Sequence, residues 1–193
     1  MAPLTIGLTG GIAAGKSEAL KAFGRLGVET LSSDAVVHEL VEGEALRALL
    51  VDRWGEEIAP AGSIDRAKIG EIVFADPDQL SWLEEQIHPL VRERTAAWIG
   101  SLPADTEVAV VEVPLLLEAG SDSGFDVTVA IVTADLVRRE RAEARGHALV
   151  DEREARQLTQ EEKAERADHV IVNDGTVEDL ERALSGLLAK LRR

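Results

Sequence analysis

The stretch Leu4-Thr-Ile-Gly-Leu-Thr-Gly-Gly-Ile-Ala-Ala-Gly-Lys-Ser17 decides the fold that we expect of this chain. Its first residues are apolar or β-branched and end in glycines, which predicts a short buried strand. The next residues match the spacing G-x-x-x-x-G-K-S/T of a phosphate-binding loop, at Gly10, Gly15, Lys16 and Ser17. Apolar residues at helical spacing follow, so the stretch predicts a strand, a phosphate-binding loop and a helix.

The residue types in this loop suit the chemistry of a bound phosphate. Small residues let successive backbone N–H groups approach one phosphate, and the following helix adds its positive N-terminal end. We expect phosphate contacts from Gly11, Ala13, Ala14, Gly15, Lys16, Ser17 and Glu18. Lys16 would reach the outer phosphates, and the hydroxyl of Ser17 would bind Mg²⁺. An ordinary glycine-rich turn is the alternative, but the strand before and the helix after favour a phosphate site.

Composition limits the classes of protein that fit this sequence. A length of 193 residues, with 45% hydrophobic and 30% charged residues, indicates one globular α/β core with insertions. The absence of cysteine excludes disulfides and thiolate metal sites. No apolar run is long enough to cross a membrane, and the first strand begins almost at once. We therefore expect no membrane partner, no signal peptide and a cytoplasmic location.

The net charge of −15 argues against nucleic acid as a partner, because phosphate backbones bind to basic surfaces. The same acidity would repel nucleotide phosphates, so we expect Mg²⁺ and a local group of cations near the loop. Four arginines within eight residues meet that need: Arg138, Arg139, Arg141 and Arg145. The first, third and fourth share one helical face, and each guanidinium can pair with two phosphate oxygens.

We interpret residues 136–166 as a helical lid, which would close these arginines over a bound nucleotide and exclude water. A solvated helix with pairs of opposite charge is the alternative. That alternative suits the later part of the segment, where acidic residues balance Arg153, Arg156, Lys163 and Arg166.

Further strand-like segments alternate with helical patterns along the chain. The strand segments are Val28–Leu31, Val108–Val113, Val127–Val132 and Val170–Val172. This alternation predicts an α/β protein with the phosphate-loop NTPase fold, in which a five-stranded parallel sheet is flanked by helices. Residues 1–33, 104–135 and 167–193 would form its nucleotide-binding core.

The long gap between the second and third strands predicts a helical insertion over residues 34–103, which we interpret as the acceptor-binding part. Its helical patterns cover Ala45–Trp54, Asp65–Phe74 and Pro77–Ile99. Pro89 falls inside the last of these and is expected to kink or split that helix.

Two carboxylates follow strands of the predicted sheet, at the edge where parallel sheets bind their ligands. Asp34 comes after the second strand, where it would accept or orient the proton of a substrate hydroxyl. Capping the next helix is the other interpretation of Asp34, and both roles can coexist. Glu112 lies near the end of the third strand, where a carboxylate can hold Mg²⁺ unless it faces solvent. We therefore expect metal ligands at Ser17 and Glu112.

More specific motifs occur along the rest of the chain. They are Ile64-Asp65-Arg66, Phe74-Ala75-Asp76-Pro77, His88-Pro89-Leu90, Val113-Pro114-Leu115-Leu116-Leu117-Glu118, Arg141-x-x-x-Arg145-Gly146, Gln157, and Ala167-Asp168 with Val170-Ile171, Asn173 and Gly175. Taken with the opening loop, they make the chain resemble the dephospho-coenzyme A (dephospho-CoA) kinase family over nearly its whole length. The loop is generic, whereas the His-Pro-Leu, Val-Pro-Leu-Leu and closing Ala-Asp motifs together are much more specific.

The resemblance implies a single kinase domain over residues 1–193 that uses ATP and Mg²⁺. It implies transfer of the γ-phosphoryl group of ATP to the ribose 3′-hydroxyl of dephospho-CoA, the last step of coenzyme A biosynthesis. Asp34 falls on the catalytic base of the family, Lys16 on its phosphate-loop lysine and Arg141 on its lid arginine. We expect a monomer or weak homo-oligomer. Another small-metabolite or nucleoside kinase of the phosphate-loop class is the alternative function.

Three residues depart from the pattern of the family. Ser32 stands where an aspartate is usual, which would leave more of the Mg²⁺ binding to Glu112. Glu18 replaces a usual threonine and adds a negative charge near the α-phosphate. Ala13 replaces a usual glycine, which is free of strain only if the backbone there avoids positive φ. None of the three removes Asp34, Lys16 or Arg141, so we expect an active kinase.

Overall fold

The computed structural model describes residues 2–144 and 157–192. Its contacts divide the chain into two compact units. One is built from the residues up to Ser32 and from Ile99 onward, and the other is Ser33–Trp98. The assignment of the second unit to acceptor binding stays a prediction.

The strands of the described residues are β1 Leu4–Gly10, β2 Glu29–Ser32, β3 Val108–Glu112, β4 Val127–Val132 and β5 His169–Val172. They form one parallel sheet in the order β2-β3-β1-β4-β5, so the predicted α/β fold is confirmed. The helices are α1 Lys16–Arg25, α2 Ser33–Glu42, α3 Glu44–Trp54, α4 Arg66–Ala75, α5 Pro77–Ser101, α6 Asp135–Ala144, α7 Gln160–Arg166 and α8 Val177–Leu191. Short 3-10 turns lie at Glu56–Ile58, Pro60–Gly62 and Asp122–Gly124.

The register of the sheet aligns the strand ends that carry the predicted site residues. Leu8 of β1 pairs with Glu112 of β3, and Ser32 of β2 pairs with the same glutamate. Val113 N donates to Leu8 O over 2.9 Å, which continues the ladder one residue past β3. Because β1 is the central strand, the loop that follows it lies in the middle of the carboxyl edge of the sheet.

The core of the first unit lies between the sheet and helices α1 and α8. Ile6 of β1, Phe23 of α1 and Leu184 of α8 are fully buried in it. Thr176 and Asp179 form the predicted capping box at the start of α8, which directs its leucine stripe toward the sheet. This packing fixes α1, and therefore the loop before it, against β1.

The second unit has a core of its own. Leu50 and Ile58 are fully buried there. Trp54 and Trp82 pack edge to face, with ring centroids 5.3 Å apart, and Arg53 lies 5.0 Å from the centroid of Trp82. The helices of Ser33–Trp98 are thus held by contacts within that unit.

Helix α5 runs without interruption through Pro89, so the expected split of this helix is wrong. Proline offers no N–H to the carbonyl four residues earlier, that of Glu85. Both residues are exposed, so water can satisfy that carbonyl, and the buried side chain of Ile87 keeps the helix packed on its core. Although α5 has 25 residues, none of the described helices is both long and apolar enough to cross a membrane.

Asp168 joins the start of β5 to β4 through Thr128. Its Oδ2 accepts from Thr128 N and from Thr128 Oγ1, each over 2.8 Å. Its N–H donates back to the same hydroxyl over 2.9 Å. The hydrogen bonds from the backbone and side chain of Thr128 lower the pKa of Asp168. Because the native pKa lies below that of the unfolded chain, this stabilisation is complete above about pH 4 and is lost as pH falls through the native pKa.

We expect Thr128→Val to lower the free energy of unfolding at pH 7 by about 1 kcal/mol, because Asp168 loses its hydroxyl partner. The melting temperature should fall by about 2–4 °C. This difference from the parent should stay constant above about pH 4 and shrink as pH falls further through the native pKa of Asp168, since a protonated Asp168 gains less from the hydroxyl. Thermal unfolding at several pH values measures it, with Thr128→Ser as the control that keeps the hydroxyl. A difference independent of pH would contradict this account of Asp168.

Candidate active site

The loop between β1 and α1 has two backbone positions that only glycine fits. Gly10 has a φ of 153° and Gly15 a φ of 100°. A Cβ on Gly10 would lie 2.3 Å from Ile131 O, and one on Gly15 would lie 2.1 Å from Asn173 Nδ2. Neighbouring strand ends therefore crowd the loop so closely that both motif glycines are required.

Helix α1 begins with Lys16, directly after this loop. Gly15 is its N-cap residue, and no side chain caps the first turn. The N–H groups of that turn and the helix dipole together form a site for an anion. Lys16 Nζ donates to the carbonyl oxygens of Gly10 and Gly11, both over 3.0 Å, so its ammonium lies over the loop. A phosphate bound to the loop would meet this ammonium.

Ser17 and Glu112 face each other across 95 residues of sequence. The Ser17 hydroxyl donates a long hydrogen bond to Glu112, with Oγ and Oε1 3.4 Å apart. Glu112 is only 5% exposed, so the interpretation of a solvent-facing residue is wrong. Two hard oxygen donors beside a phosphate site fit Mg²⁺, which binds one or two side chains together with substrate phosphates and water.

Arg141 of α6 reaches the loop through Asn173. Arg141 Nη1 donates to Asn173 O over 2.9 Å. The buried side chain of Asn173 in turn donates from Nδ2 to Ala14 O over 2.8 Å. The same guanidinium nitrogen of Arg141 lies 3.8 Å from the Cβ position of Gly15. Arg141 is half-buried against the loop, so the alternative of a fully solvated helix is wrong for this residue.

Asp174 fixes the start of α6. Its Oδ1 accepts from Ala134 N over 2.6 Å and from Thr133 Oγ1 over 2.8 Å. These two hydrogen bonds, with a smaller effect of the Arg141 charge, lower the pKa of Asp174. The carboxylate is therefore ionised at neutral pH and orients the helix from which Arg141 extends.

A cavity of about 190 Å³ lies beside the loop. It is lined by Gly11, Ile12, Asp135, Arg138 and residues 157–161. The side chain of Arg138 is 20% exposed, and its Nη2 lies 3.3 Å from Asp135 Oδ1. The structure thus brings Arg138 and Arg141 to the loop side of α6, while Arg145 lies outside the described residues.

Glu18 does not direct its carboxylate toward the loop. Its Oε1 accepts from Arg25 Nη2 over 2.9 Å, seven residues further along α1. Arg25 also pairs with Glu181 of α8, and the two carboxylates, Glu18 first, raise the pKa of Arg25. Seven residues are about two turns, so this ion pair draws the Glu18 carboxylate toward the C-terminal end of α1.

Asp34 lies in the first turn of α2, two residues after the end of β2. Helix α2 begins at Ser33, so Asp34 lies inside the helix rather than at its cap. Its side chain is exposed. Asp34 therefore follows β2 along the chain, as the sequence predicted, and its carboxylate is exposed.

Ala13 has a φ of 60° and is the one residue other than glycine with positive φ among the described residues. Alanine can replace glycine without strain only where the backbone avoids positive φ, so Ala13 is strained. A left-handed conformation costs an L-residue about 1–2 kcal/mol. The strain lies within the phosphate loop itself.

Sequence reasoning missed two residues of α7. Lys163 belongs to the stretch that we interpreted as solvated, but its side chain is fully buried. Gln160 joins α7 to the end of β4, since its amide accepts from Thr133 N and donates to Thr133 O, each over 3.0 Å. A signal was present, because positions 160, 163, 164 and 167 form a helical face without acidic residues. Arg153 and Arg156 of the same stretch lie outside the described residues.

Comparison with known sequences leads to one family. The family model of dephospho-CoA kinase matches residues 4–179. The dephospho-CoA kinase of Synechococcus sp. (strain CC9902) is 37% identical over 189 residues, which cover 95% of this chain and 94% of that protein. The dephospho-CoA kinase of Streptomyces avermitilis is 38% identical over 193 residues, which cover 97% of this chain and 94% of that protein.

Solved structures agree with the sequences. The crystal structure of TT1252 from Thermus thermophilus superposes with a TM-score of 0.83 at 32% identity and covers 99% of both chains. The dephospho-CoA kinase from Campylobacter jejuni has a TM-score of 0.71 at 25% identity, with 97% of this chain and 96% of that chain covered. A shikimate kinase from Acinetobacter baumannii has a TM-score of 0.55 at 15% identity, with 98% of this chain and 94% of that chain covered. This likeness shows the fold alone.

Replacing Ala13 by glycine should stabilise the protein, because glycine adopts positive φ without steric cost. The added freedom of the unfolded chain offsets part of the gain, which leaves about 0.5–1 kcal/mol. We expect the melting temperature to rise by about 1–4 °C. Ala14→Gly is the matched control, since Ala14 is fully buried without positive φ and should only lose stability. Equal losses in both variants would contradict the strain at Ala13.

Proposed function

This chain belongs to the dephospho-CoA kinase family, and on that basis we propose how its residues transfer the γ-phosphoryl group of ATP to the ribose 3′-hydroxyl of dephospho-CoA. Three predictions are confirmed: the family, the fold, and the activity of a kinase that catalyses the last step of coenzyme A biosynthesis. The use of ATP follows from the family. One observation supports the assignment of roles: Lys16, Ser17, Glu112 and Arg141 meet around one loop.

The phosphate loop holds the outer phosphates of ATP. We propose that Gly11, Ala13, Ala14 and Gly15 contribute backbone N–H groups, and that Lys16 exchanges its two carbonyl partners for phosphate oxygens. Glu18 stays at the edge of this site in our proposal. Its ion pair with Arg25 reduces its repulsion of a phosphate.

Ser17 Oγ and Glu112 Oε1 are the groups that would hold Mg²⁺. Bound there, Mg²⁺ would neutralise the negative charge that develops on the phosphates during transfer. Ser32, which pairs in register with Glu112, offers no carboxylate at the end of β2. Glu112 therefore provides the carboxylate for the metal in this proposal.

Arg141 stabilises the transferring group. Its guanidinium stays charged at any working pH and lies 3.8 Å from the Cβ position of Gly15, at the loop. Negative charge develops on the transferring group in the transition state. A cation held at that position stabilises this charge, which is a main source of catalysis in phosphoryl transfer. We propose Arg138 and Arg145 as further phosphate contacts, within a lid over residues 136–166.

Asp34 accepts the proton of the acceptor. As the 3′-oxygen forms its bond to the γ-phosphorus, the bond from that phosphorus to the β–γ bridging oxygen breaks, and ADP leaves. Support comes from the chain position of Asp34, two residues after β2, and from its exposure.

We propose that the helical segment, 34–103 in the predicted boundaries, binds dephospho-CoA. A monomer or weak homo-oligomer in the cytoplasm stays a prediction.

A coupled assay of ADP release tests the acceptor. Purified protein with ATP and Mg²⁺ should release ADP when dephospho-CoA is added, and mass spectrometry should identify coenzyme A as the product. Shikimate and adenosine serve as competing acceptors, because they represent the alternative class of small-metabolite and nucleoside kinases. Turnover with either of them and none with dephospho-CoA would reject the proposed acceptor.

Asp34→Asn should reduce kcat by about 10²–10⁴-fold, because the amide cannot accept the proton. The affinity for ATP should change little, since Asp34 contacts no nucleotide phosphate in the proposed mechanism. Steady-state kinetics and nucleotide titration measure the two quantities. Asp105→Asn, an exposed position between α5 and β3, is the matched control and should leave kcat unaltered. An unchanged kcat in Asp34→Asn would remove Asp34 from the reaction.

A further inference from the structure

Lys163 makes one ion pair and two hydrogen bonds that the proposed mechanism does not use. Its side chain is fully buried, and its Nζ lies 2.9 Å from Glu118 Oε1. The same ammonium donates to Pro114 O over 2.8 Å and to Gly10 O over 3.4 Å. An ammonium has three N–H donors, which is enough for the two carbonyls and the carboxylate. Glu118 supplies the opposite charge that a buried ammonium needs.

The two carbonyls belong to strand ends that carry the site. Gly10 ends β1 and begins the phosphate loop, and Pro114 lies two residues after Glu112, the last residue of β3. Because a peptide unit is planar, the direction of Gly10 C=O sets the direction of the next N–H, that of Gly11 in the loop. Lys163 therefore links the first peptide of the phosphate loop to the strand end that presents Glu112.

Gly10 O also accepts from Lys16, over 3.0 Å. A carbonyl oxygen has two lone pairs, so Lys16 and Lys163 can share it. When the Lys16 ammonium moves to a phosphate, Lys163 remains as a donor to Gly10 O. The buried carbonyl then keeps a partner, and the penalty for an unsatisfied group is avoided.

Other contacts of the same region connect α7 to the site. Glu118 Oε1 accepts from Leu158 N over 3.0 Å, two residues before the helix begins. A Cβ on Gly11 would lie 2.9 Å from Gln160 Cγ, so the first turn of α7 packs on the loop. With the two hydrogen bonds between Gln160 and Thr133, α7 contacts the ends of β1, β3 and β4.

We propose that Lys163 is a positioning residue for phosphoryl transfer. It fixes the Gly10 peptide relative to the end of β3, and it frees Lys16 to bind phosphate. Glu118 neutralises its charge and does not act on the substrate. This role rests on the proposed function, because it is defined by the transfer that the loop performs.

A double variant, a variant of Glu118 alone and a control variant of an exposed lysine separate positioning from folding. Lys163→Met alone leaves the partly buried Glu118 without its counter-charge, which can prevent folding. The double variant Lys163→Met/Glu118→Gln is neutral at both positions, and Glu118→Gln alone keeps the lysine. Because Glu118→Gln leaves the buried Lys163 ammonium without its counter-charge, the parent protein serves as a second reference. Lys190→Met, at an exposed position of α8, controls for loss of a lysine elsewhere. Each is measured by thermal unfolding and by kcat and KM with dephospho-CoA.

We expect the double variant to melt within a few degrees of Glu118→Gln and to have a kcat about 30–100-fold lower, as misplaced reacting groups do. KM for dephospho-CoA should stay within about threefold, since the acceptor does not contact Lys163. Equal kcat in the two variants at equal stability would overturn the proposal and leave Lys163 a structural residue. A double variant that is unfolded while Glu118→Gln is folded would overturn it as well. A folded parent protein that releases no ADP would instead reject the proposed function.

Discussion

The contact between Asn173 and the phosphate loop is the constraint on which the site depends. The amide of Asn173 donates to Ala14 O and lies where any side chain at position 15 would stand. Its backbone carbonyl simultaneously anchors Arg141. One buried residue at the end of β5 thus fixes both the loop, through its side chain, and Arg141, through its backbone carbonyl. The parallel sheet makes this possible, because it delivers β1 and β5 to the same edge.

Electrostatics explains why the site needs such rigid support. The chain has a net charge of −15, so the average field repels a polyphosphate. Binding must rest on a few cations held at short range, where local charge outweighs the distant and screened acids. The hydrogen bond that anchors Arg141 ends on a neutral carbonyl, which orients the guanidinium without cancelling its charge. Arg25, by contrast, is paired with two carboxylates and joins α1 to α8.

The sequence predicted what local patterns and the loop motif determine. Apolar and β-branched residues marked the five strands, and the fixed spacing of Gly15, Lys16 and Ser17 marked the loop. The approach of Ser17 to Glu112 also followed, because parallel strands end at a common edge. Tertiary contacts decided the rest. The burial of Lys163 depends on carbonyls far away in sequence, and the continuity of α5 at Pro89 depends on packing that outweighs a lost hydrogen bond.

The tryptophans have a consequence for spectroscopy. The chain has three of them and no tyrosine, and Trp54, Trp82 and Trp98 all belong to the unit Ser33–Trp98. Intrinsic fluorescence therefore reports on that helical unit alone, with the edge-to-face contact of Trp54 and Trp82 as a local source of its signal. Far-ultraviolet circular dichroism reports on the backbone of the whole chain. Comparing the two transitions would show whether the sheet and the helical unit unfold as one body or in succession.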